Sequence, residues 1–292
     1  MSSLRKCGRF LVVIVLMRRS IAIVLLMLSF NISGCLSEKE DSEGLILATT
    51  TSMRDSGLLD VLLSSFKEEY GIEIGVVAVG TGAALKLGEN QDADILIVHA
   101  PEKEIQFIEQ GYGNSRTTFA WNRFVLLGPS ELNEPTNVSE AFEQIQNECI
   151  ISRGDGSGTH IKEQEIWRST TASLIEDSSG THPSSESYYS IGQGMGAALN
   201  MANELRCWVL SDMGTWLSMS PQLDLVANIW EDELTLNQYS IIQLDNEYQS
   251  QTLLFEEYLM STKVETIIAE YTINDQQMFN PGQPNQEPSS NA

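Results

Sequence analysis

From Gly44 onward, short apolar runs alternate with helical patterns, and this alternation restricts the fold more than any other feature of the chain. "LILA" reads as a strand, and "GLLDVLLSSFKEEYG" puts Leu58, Leu59, Leu62 and Phe66 on one helical face before Gly71 stops it. "IEIGVVAVG" and "ADILIVHA" read as further strands, with "GAALKLGEN" and "PEKEIQFIEQG" as the helices between and after them. A second set runs from the strand "RFVLLGP" through the helix at "SEAFEQIQN", the strand "CIIS" and the helix "THIKEQEIWRS". The helix "GMGAALNMANELR", the strand "WVLS" and the run "LDLVANIW" complete it. "YSIIQL" reads as a returning strand and "SQTLLFEEYLMSTKVETIIAEY" as two closing helices. The order predicts an α/β fold of mostly parallel sheets flanked by helices. "LIEDSSGTHPSSES" is expected as an exposed Ser-rich loop and residues 276–292 as a flexible tail.

The first 34 residues belong to a different class. Arg5, Lys6, Arg9, Arg18 and Arg19 flank two apolar runs, neither reaching the roughly 18 residues of a membrane span, so the segment reads as an export signal. Ile32-Ser33-Gly34-Cys35 resembles a lipobox, which would make Cys35 the acylated first residue and residues 35–43 a polar tether. The expected address is the outer face of the cytoplasmic membrane, with the lipid as the sole membrane contact. Both Met1 and Met17 stand open as the start. Removing the five basic residues of the signal takes the net charge from -23 to -28. That excludes nucleic acid, whose phosphates need a basic footprint, and it means an anionic ligand must be held by local donors against the overall field. Two cysteines remain, Cys149 and Cys207, 58 positions apart. A disulfide is open to an exported protein, but two buried, unpaired thiols are the expectation.

Three strand-to-helix turns share one composition. Thr49, Thr50, Thr51 and Ser52 offer more hydroxyls than a helix cap needs. Gly80, Thr81 and Gly82 repeat the construction, and "ISRGDGSGTHIKE" repeats it with Arg153, Ser157, Gly158 and Thr159. Hydroxyls, free backbone N–H groups and the positive end of a helix dipole together make an anion site. Carboxyl ends of parallel strands are where open α/β sheets bind ligands.

Rival motifs fail on spacing. "GTGAALKLG" lacks the ending of a phosphate-cradling loop, and no acidic residue closes a second strand after "GQGMGA". Asp155 stands where a nucleophile elbow needs Gly, which weakens an exported hydrolase using Ser157; no base is placed to serve it. His99, His160 and His182 are too scattered for a metal and read as structural histidines. A receptor ectodomain would need a second membrane segment or a cytoplasmic output domain, and neither is expected after Phe255. No catalytic residue, metal or cofactor is expected.

"TTTSMRDSGLL", "VVAVGTGAALKLG", "ADILIVHAPEKEIQFIEQGYG", "ISRGDGSGTHIKE", "GQGMGAALNMANE" and "SDMGTWL", in this order between Leu45 and Phe255, resemble the tungstate-binding proteins of ABC importers, which are related to molybdate- and phosphate-binding proteins. The resemblance implies a two-lobed type II periplasmic-binding-protein fold, a monomer that closes on the anion and passes it to permease subunits. It implies that Arg153 and Thr159, with hydroxyls of the TTTS turn, contact the oxyanion. The expected ligand set is Thr50, Thr51, Ser52, Thr81, Gly82, Arg153, Ser157, Gly158 and Thr159. Met53 replaces a further Thr, Met213 stands where Arg is common, and the Ser-rich loop is longer than the pattern.

Lobe I is expected at 44–121 plus 245–275 and lobe II at 122–244, because "FAWNRFVLLGP" and "LNQYSIIQLDN" are the strand patterns able to carry the chain between the two sets. Phosphate, carrying a proton, would reward a carboxylate in the cleft. Asp155 is expected to orient Arg153 and Asp55 to cap the helix at Gly57, which favours a fully ionised anion, tungstate or molybdate, over phosphate.

Overall fold

The computed structural model describes residues 44–284. The export signal, Cys35 and its tether, and residues 285–292 of the tail lie outside the described residues. The chain opens with β1 (Leu45–Thr50), α1 (Thr51–Asp55), α2 (Leu58–Tyr70), β2 (Ile74–Val79), α3 (Thr81–Glu89), β3 (Ile95–Val98), α4 (Pro101–Glu109) and β4 (Ser115–Gly128). It continues with α5 (Val138–Ile145), β5 (Ile150–Ser152), α6 (Gly158–Arg168), β6 (Leu174–Asp177), β7 (Gly180–Pro183), β8 (Tyr188–Ser190), α7 (Met195–Leu205), β9 (Val209–Asp212), α8 (Met213–Met219) and β10 (Val226–Asn228). β11 (Leu236–Gln243), α9 (Gln249–Leu259), α10 (Thr262–Glu270), β12 (Thr272–Ile273), β13 (Gln276–Gln277) and β14 (Asn280–Pro281) close it.

β1 lies between β2 and β3, parallel to both. The sheet then passes through β11 to β4, and at its far end β4 pairs with β9 and β10. All of these later pairings are antiparallel, so the sheet is mixed rather than mostly parallel as expected. The cause is the two long strands β4 and β11, which pair with each other from Ser115↔Gln243 to Arg123↔Leu236 and so run opposite to their neighbours.

Burial along these strands is two-sided. Ile95 and Ile97 pack into one apolar cluster with α2, α9 and α10, while Leu96 and Val98 pack into another with Ala84, Leu85 and Phe107. Farther along β4 the alternation repeats with different partners. Phe124 and Leu126 face α5 and Trp167, whereas Val125 and Leu127 face Ala198, Leu199 and Ala202 of α7. Helices on both faces explain why "ILIV" and "FVLL" read as unbroken apolar runs. Leu58, Leu59, Leu62 and Phe66 are all fully buried, each contributing about 1.5–3 kcal/mol of transfer free energy, and left-handed Gly71 ends that helix as expected.

Three further expectations are corrected. Cys149 and Cys207 form a disulfide, because Ile150 bridges Trp208 and brings the two Cα atoms to 4.7 Å. The Ser-rich segment contains the β6–β7 hairpin, with Thr181, His182 and Pro183 buried against α6 rather than exposed. Residues 276–281 are part of the fold instead of a flexible tail: Met278 and Phe279 are buried, and β14 pairs with β4. The apolar pair inside a polar sequence is what draws this segment onto the core.

Candidate functional site

The carboxyl ends of β1, β2, β3 and β5 converge on a small cavity of about 20 Å³, far below the several hundred Å³ typical of sites for organic ligands. Thr50, Thr51, Ser52, Val79, Gly80, Thr81, His99, Arg153, Ser157, Gly158 and Thr159 line it, and none of these is a carboxylate. Eight of the nine expected ligand residues are therefore brought together. Gly82 is not; it lies one residue into α3 and is exposed.

The hydroxyl run is divided by the local structure. Thr49 and Thr50 complete β1, and the Thr49 hydroxyl turns inward to the Ile97 carbonyl (2.7 Å), out of reach of a ligand. Thr50 caps the five-residue α1 by accepting from Met53 N (3.2 Å), and Ser52 Oγ lies 3.2 Å from Thr50 Oγ1. Thus the run leads into its own short helix, not directly into α2. Met53 points into the core and is fully buried, so the missing Thr at that position takes no donor from the cavity in this arrangement. Asp55 pairs with Arg54 (2.7 Å) and does not cap α2; Ser56 Oγ accepts from Leu58 N (3.3 Å) in its place.

Thr81 begins α3, whose N-cap Gly80 has no side chain to satisfy the first N–H groups. The Thr81 hydroxyl is buried, lines the cavity and has no hydrogen-bond partner. A donor left alone in a buried place is costly unless something absent from the free protein completes it.

On the opposite wall, Arg153 donates to Asp155 Oδ2 through Nη2 (2.6 Å) and Nε (3.2 Å), while Asp155 Oδ1 accepts from Ser157 N (3.1 Å). The expected orienting role of Asp155 is thus visible in the geometry. Burial works against the Asp155 charge, but the bonds from Ser157 and the Arg153 guanidinium outweigh it and hold the carboxyl below its usual range. Gly154 has φ 61°, and a Cβ there would fall 1.8 Å from Ser190 Oγ, so glycine suits this bend and a larger residue would have to displace the Ser190 side chain. Ser157 caps α6, aligning that helix dipole with the cavity. His160 accepts from Gly156 N and meets Ser179 O, the structural role expected of it.

His99 is the site residue that spacing did not reveal. It follows β3 directly, lines the cavity, and spans Ser52 Oγ (3.0 Å from Nε2) and Asn237 Oδ1 (2.7 Å from Nδ1). Burial holds its ring below the ordinary imidazole range; the Asn237 bond and the Asp212 charge oppose this, and the Arg153 and Lys162 charges add to it. A Cβ on Gly158 would come within 2.9 Å of His99 Cε1, so a glycine is what lets the α6 turn close against the ring. The signal available in sequence was position: His99 ends a strand at the same level as the hydroxyl run.

A second cavity of about 330 Å³ adjoins the first, sharing Thr51, Ser52 and Arg153 but also lined by Asp55 and Asp212. Its two carboxylates disfavour an anion there, whereas the small cavity has no carboxylate in its lining.

A family model described as PBP superfamily domain matches residues 37–278. By sequence, the tungstate-binding protein TupA of Peptoclostridium acidaminophilum is 37% identical over 279 residues, covering 87% of this chain and 94% of that protein. TupA of Campylobacter jejuni is 34% identical over 245 residues, covering 78% and 87%. By structure, the tungstate-binding protein TupA from Desulfovibrio alaskensis G20 matches with a TM-score of 0.72 at 34% identity, over 82% of this chain and 99% of that one. The tungstate ABC transporter structure from Geobacter sulfurreducens gives 0.65 at 34% identity, over 78% and 99%.

Proposed function

The chain belongs to the periplasmic-binding-protein superfamily as a homologue of the TupA tungstate-binding proteins, and from that premise and its donor set we propose that it captures tungstate for an ABC importer. It is a solute-binding protein and not an enzyme. The observation that carries the ligand class is the buried, unpartnered Thr81 hydroxyl in a cavity lined by donors and free of carboxylates. A tetrahedral dianion offers only acceptor oxygens. It would complete Thr81, take the hydroxyls of Thr50, Thr159 and Ser157, and receive the Arg153 guanidinium in plane. At roughly 1.5–3 kcal/mol for each bond to a charged group, six or so donors suffice for nanomolar binding after ordering costs. Monohydrogen phosphate would bring a proton with no carboxylate in the cavity to accept it, leaving only neutral hydroxyl oxygens as acceptors. Tungstate and molybdate share charge and shape, so the preference for tungstate rests on the relatives.

In this reading the anion is held between a lobe I of 44–121 and 245–275, joined by 276–281 through β14, and a lobe II of 122–244. β4 and β11 carry the chain across. Titration calorimetry of the mature protein with tungstate, molybdate, sulfate and phosphate tests the ligand: phosphate binding within about tenfold of tungstate near neutral pH rejects the assignment.

The membrane address is proposed from "ISGC" and the polar stretch behind it. Cys35→Ala expressed in the native host is expected to abolish lipid labelling and release the protein from the membrane or leave it unprocessed. Unchanged processing and membrane association reject acylation at Cys35.

A further inference from the structure

The hydrogen bonds around His99 fix the direction of the Ser52 proton. Asn237, on β11, donates through Nδ2 to Asn122 Oδ1 (2.9 Å) and Tyr239 Oη (2.9 Å), so its Oδ1 is the acceptor side of the amide. With the amide so oriented, His99 Nδ1, 2.7 Å from that oxygen, carries the proton. In a neutral imidazole Nε2 is then an acceptor, and Ser52 Oγ, 3.0 Å away, has to donate to it. The Ser52 proton is spent on the ring, so in its contact with Thr50 Oγ1 (3.2 Å) Ser52 is the acceptor, and what it has left for the cavity is a lone pair. Against an oxyanion whose oxygens are all acceptors, that is the wrong polarity.

Protonation of Nε2 removes the conflict, since an imidazolium donates from both nitrogens and Ser52 can accept from His99 while donating to the ligand. We propose that capture of a doubly charged tetrahedral oxyanion is accompanied by uptake of one proton from solvent onto His99 Nε2, which reverses the Ser52–His99 hydrogen bond and turns the Ser52 hydroxyl toward the anion. This rests on the oxyanion reading above. His99 acts here as a positioning residue, through Ser52.

The surroundings of the ring fit the role. It is buried and stacked on Tyr239, with centroids 4.9 Å apart and planes 18° from parallel. Its charged neighbours are Asp212 at the end of β9, Arg153 in the β5–α6 turn and Lys162 on α6, with Asp155 already committed to Arg153. In the free protein burial and the two cations keep the ring neutral near pH 7. A dianion one hydroxyl away opposes both cations and favours the imidazolium. The sign follows from linkage: the bound state holds the proton more tightly, so affinity is greatest below the free-state value of the ring. It falls by up to about tenfold per pH unit between the free and bound values and then levels off.

The test is calorimetry of the wild-type mature protein with tungstate, which brings no proton of its own, in Tris and in HEPES over about pH 6.5 to 8.5. The buffers differ in ionisation enthalpy, so the difference in heat counts protons. Uptake approaching about one proton per anion, with affinity falling as pH rises, is expected. His99→Gln, whose amide can still donate to Ser52, should bind without uptake and with a flat pH profile. Equal heats in both buffers and a pH-independent wild-type affinity overturn the proposal and leave the oxyanion reading intact. Proton uptake that survives in His99→Gln also overturns it. Absence of tungstate binding in every buffer overturns both readings. Should the variant fold poorly, the wild-type measurements decide alone.

Discussion

The two walls of the small cavity at the strand ends are built in opposite ways. The hydroxyl wall stands on β1, a six-residue strand paired in register on both sides, and on β2 beside it; its donors, Thr50 at the end of β1 and Thr81 after β2, are neutral and almost fully buried. The facing wall stands on β5, three residues long, paired with the three residues of β8 and a single bridge at Trp208. Yet this is the wall that carries the full positive charge, Arg153, with its side chain 13% exposed. Extensive backbone pairing positions neutral donors without further help. The short strand gets equivalent rigidity from two other devices, the Cys149–Cys207 disulfide immediately before it and the Arg153–Asp155 pair immediately after it.

If that contrast is right, the largest effect comes from removing the covalent brace. Cys149→Ala combined with Cys207→Ala should lower stability by about 4 kcal/mol, from the entropy of a chain segment spanning 58 positions, as read by urea unfolding. The hydroxyl wall has no such link, so a loss below about 1 kcal/mol would show that β5 does not depend on it.

Next is the charge. Arg153→Lys should weaken tungstate binding by about tenfold or more, about 1.4 kcal/mol at least, because an ammonium cannot hold Asp155 and an anion in one plane. The unfolding midpoint should move little, since the ammonium can keep one bond to Asp155 and the side chain is not part of the core. Unchanged affinity would remove Arg153 from the site.

The smallest effect sharpens the contrast most. Thr81→Val deletes a buried donor that has no partner in the free protein. Tungstate affinity should fall about fivefold, roughly 1 kcal/mol, while the free protein gains up to about 1 kcal/mol of stability. A variant that loses stability would mean the hydroxyl is satisfied within the fold.

Much of this arrangement could be read from the chain itself. Strand and helix order followed from apolar periodicity, and the three donor-rich turns were visible because Thr, Ser and Gly collected where helices begin. What escaped was set by tertiary pairing. Nothing local marks Cys149 and Cys207 as neighbours, since their approach depends on Ile150 meeting Trp208 across 58 positions. Met278 and Phe279 sit in a polar, Pro-containing stretch whose docking depends on β4 offering an edge. His99 looked structural because its two partners, Ser52 and Asn237, lie 47 and 138 residues away. Asp55 was assigned a cap that Ser56, one residue nearer, supplies instead.

The ladder between β4 and β11 has a mechanical consequence. Eight rungs join these strands, and the register slips once, between Tyr239 and Ser240. At the slip β4 carries one residue more than β11, Phe119, an irregularity of the kind that bends a strand and increases its local twist. The slip lies two residues beyond Asn237, the residue that grips the His99 ring. Torsion of this ribbon would move Asn237, so the hydrogen bond at His99 Nδ1 is sensitive to the twist of the β4–β11 ladder.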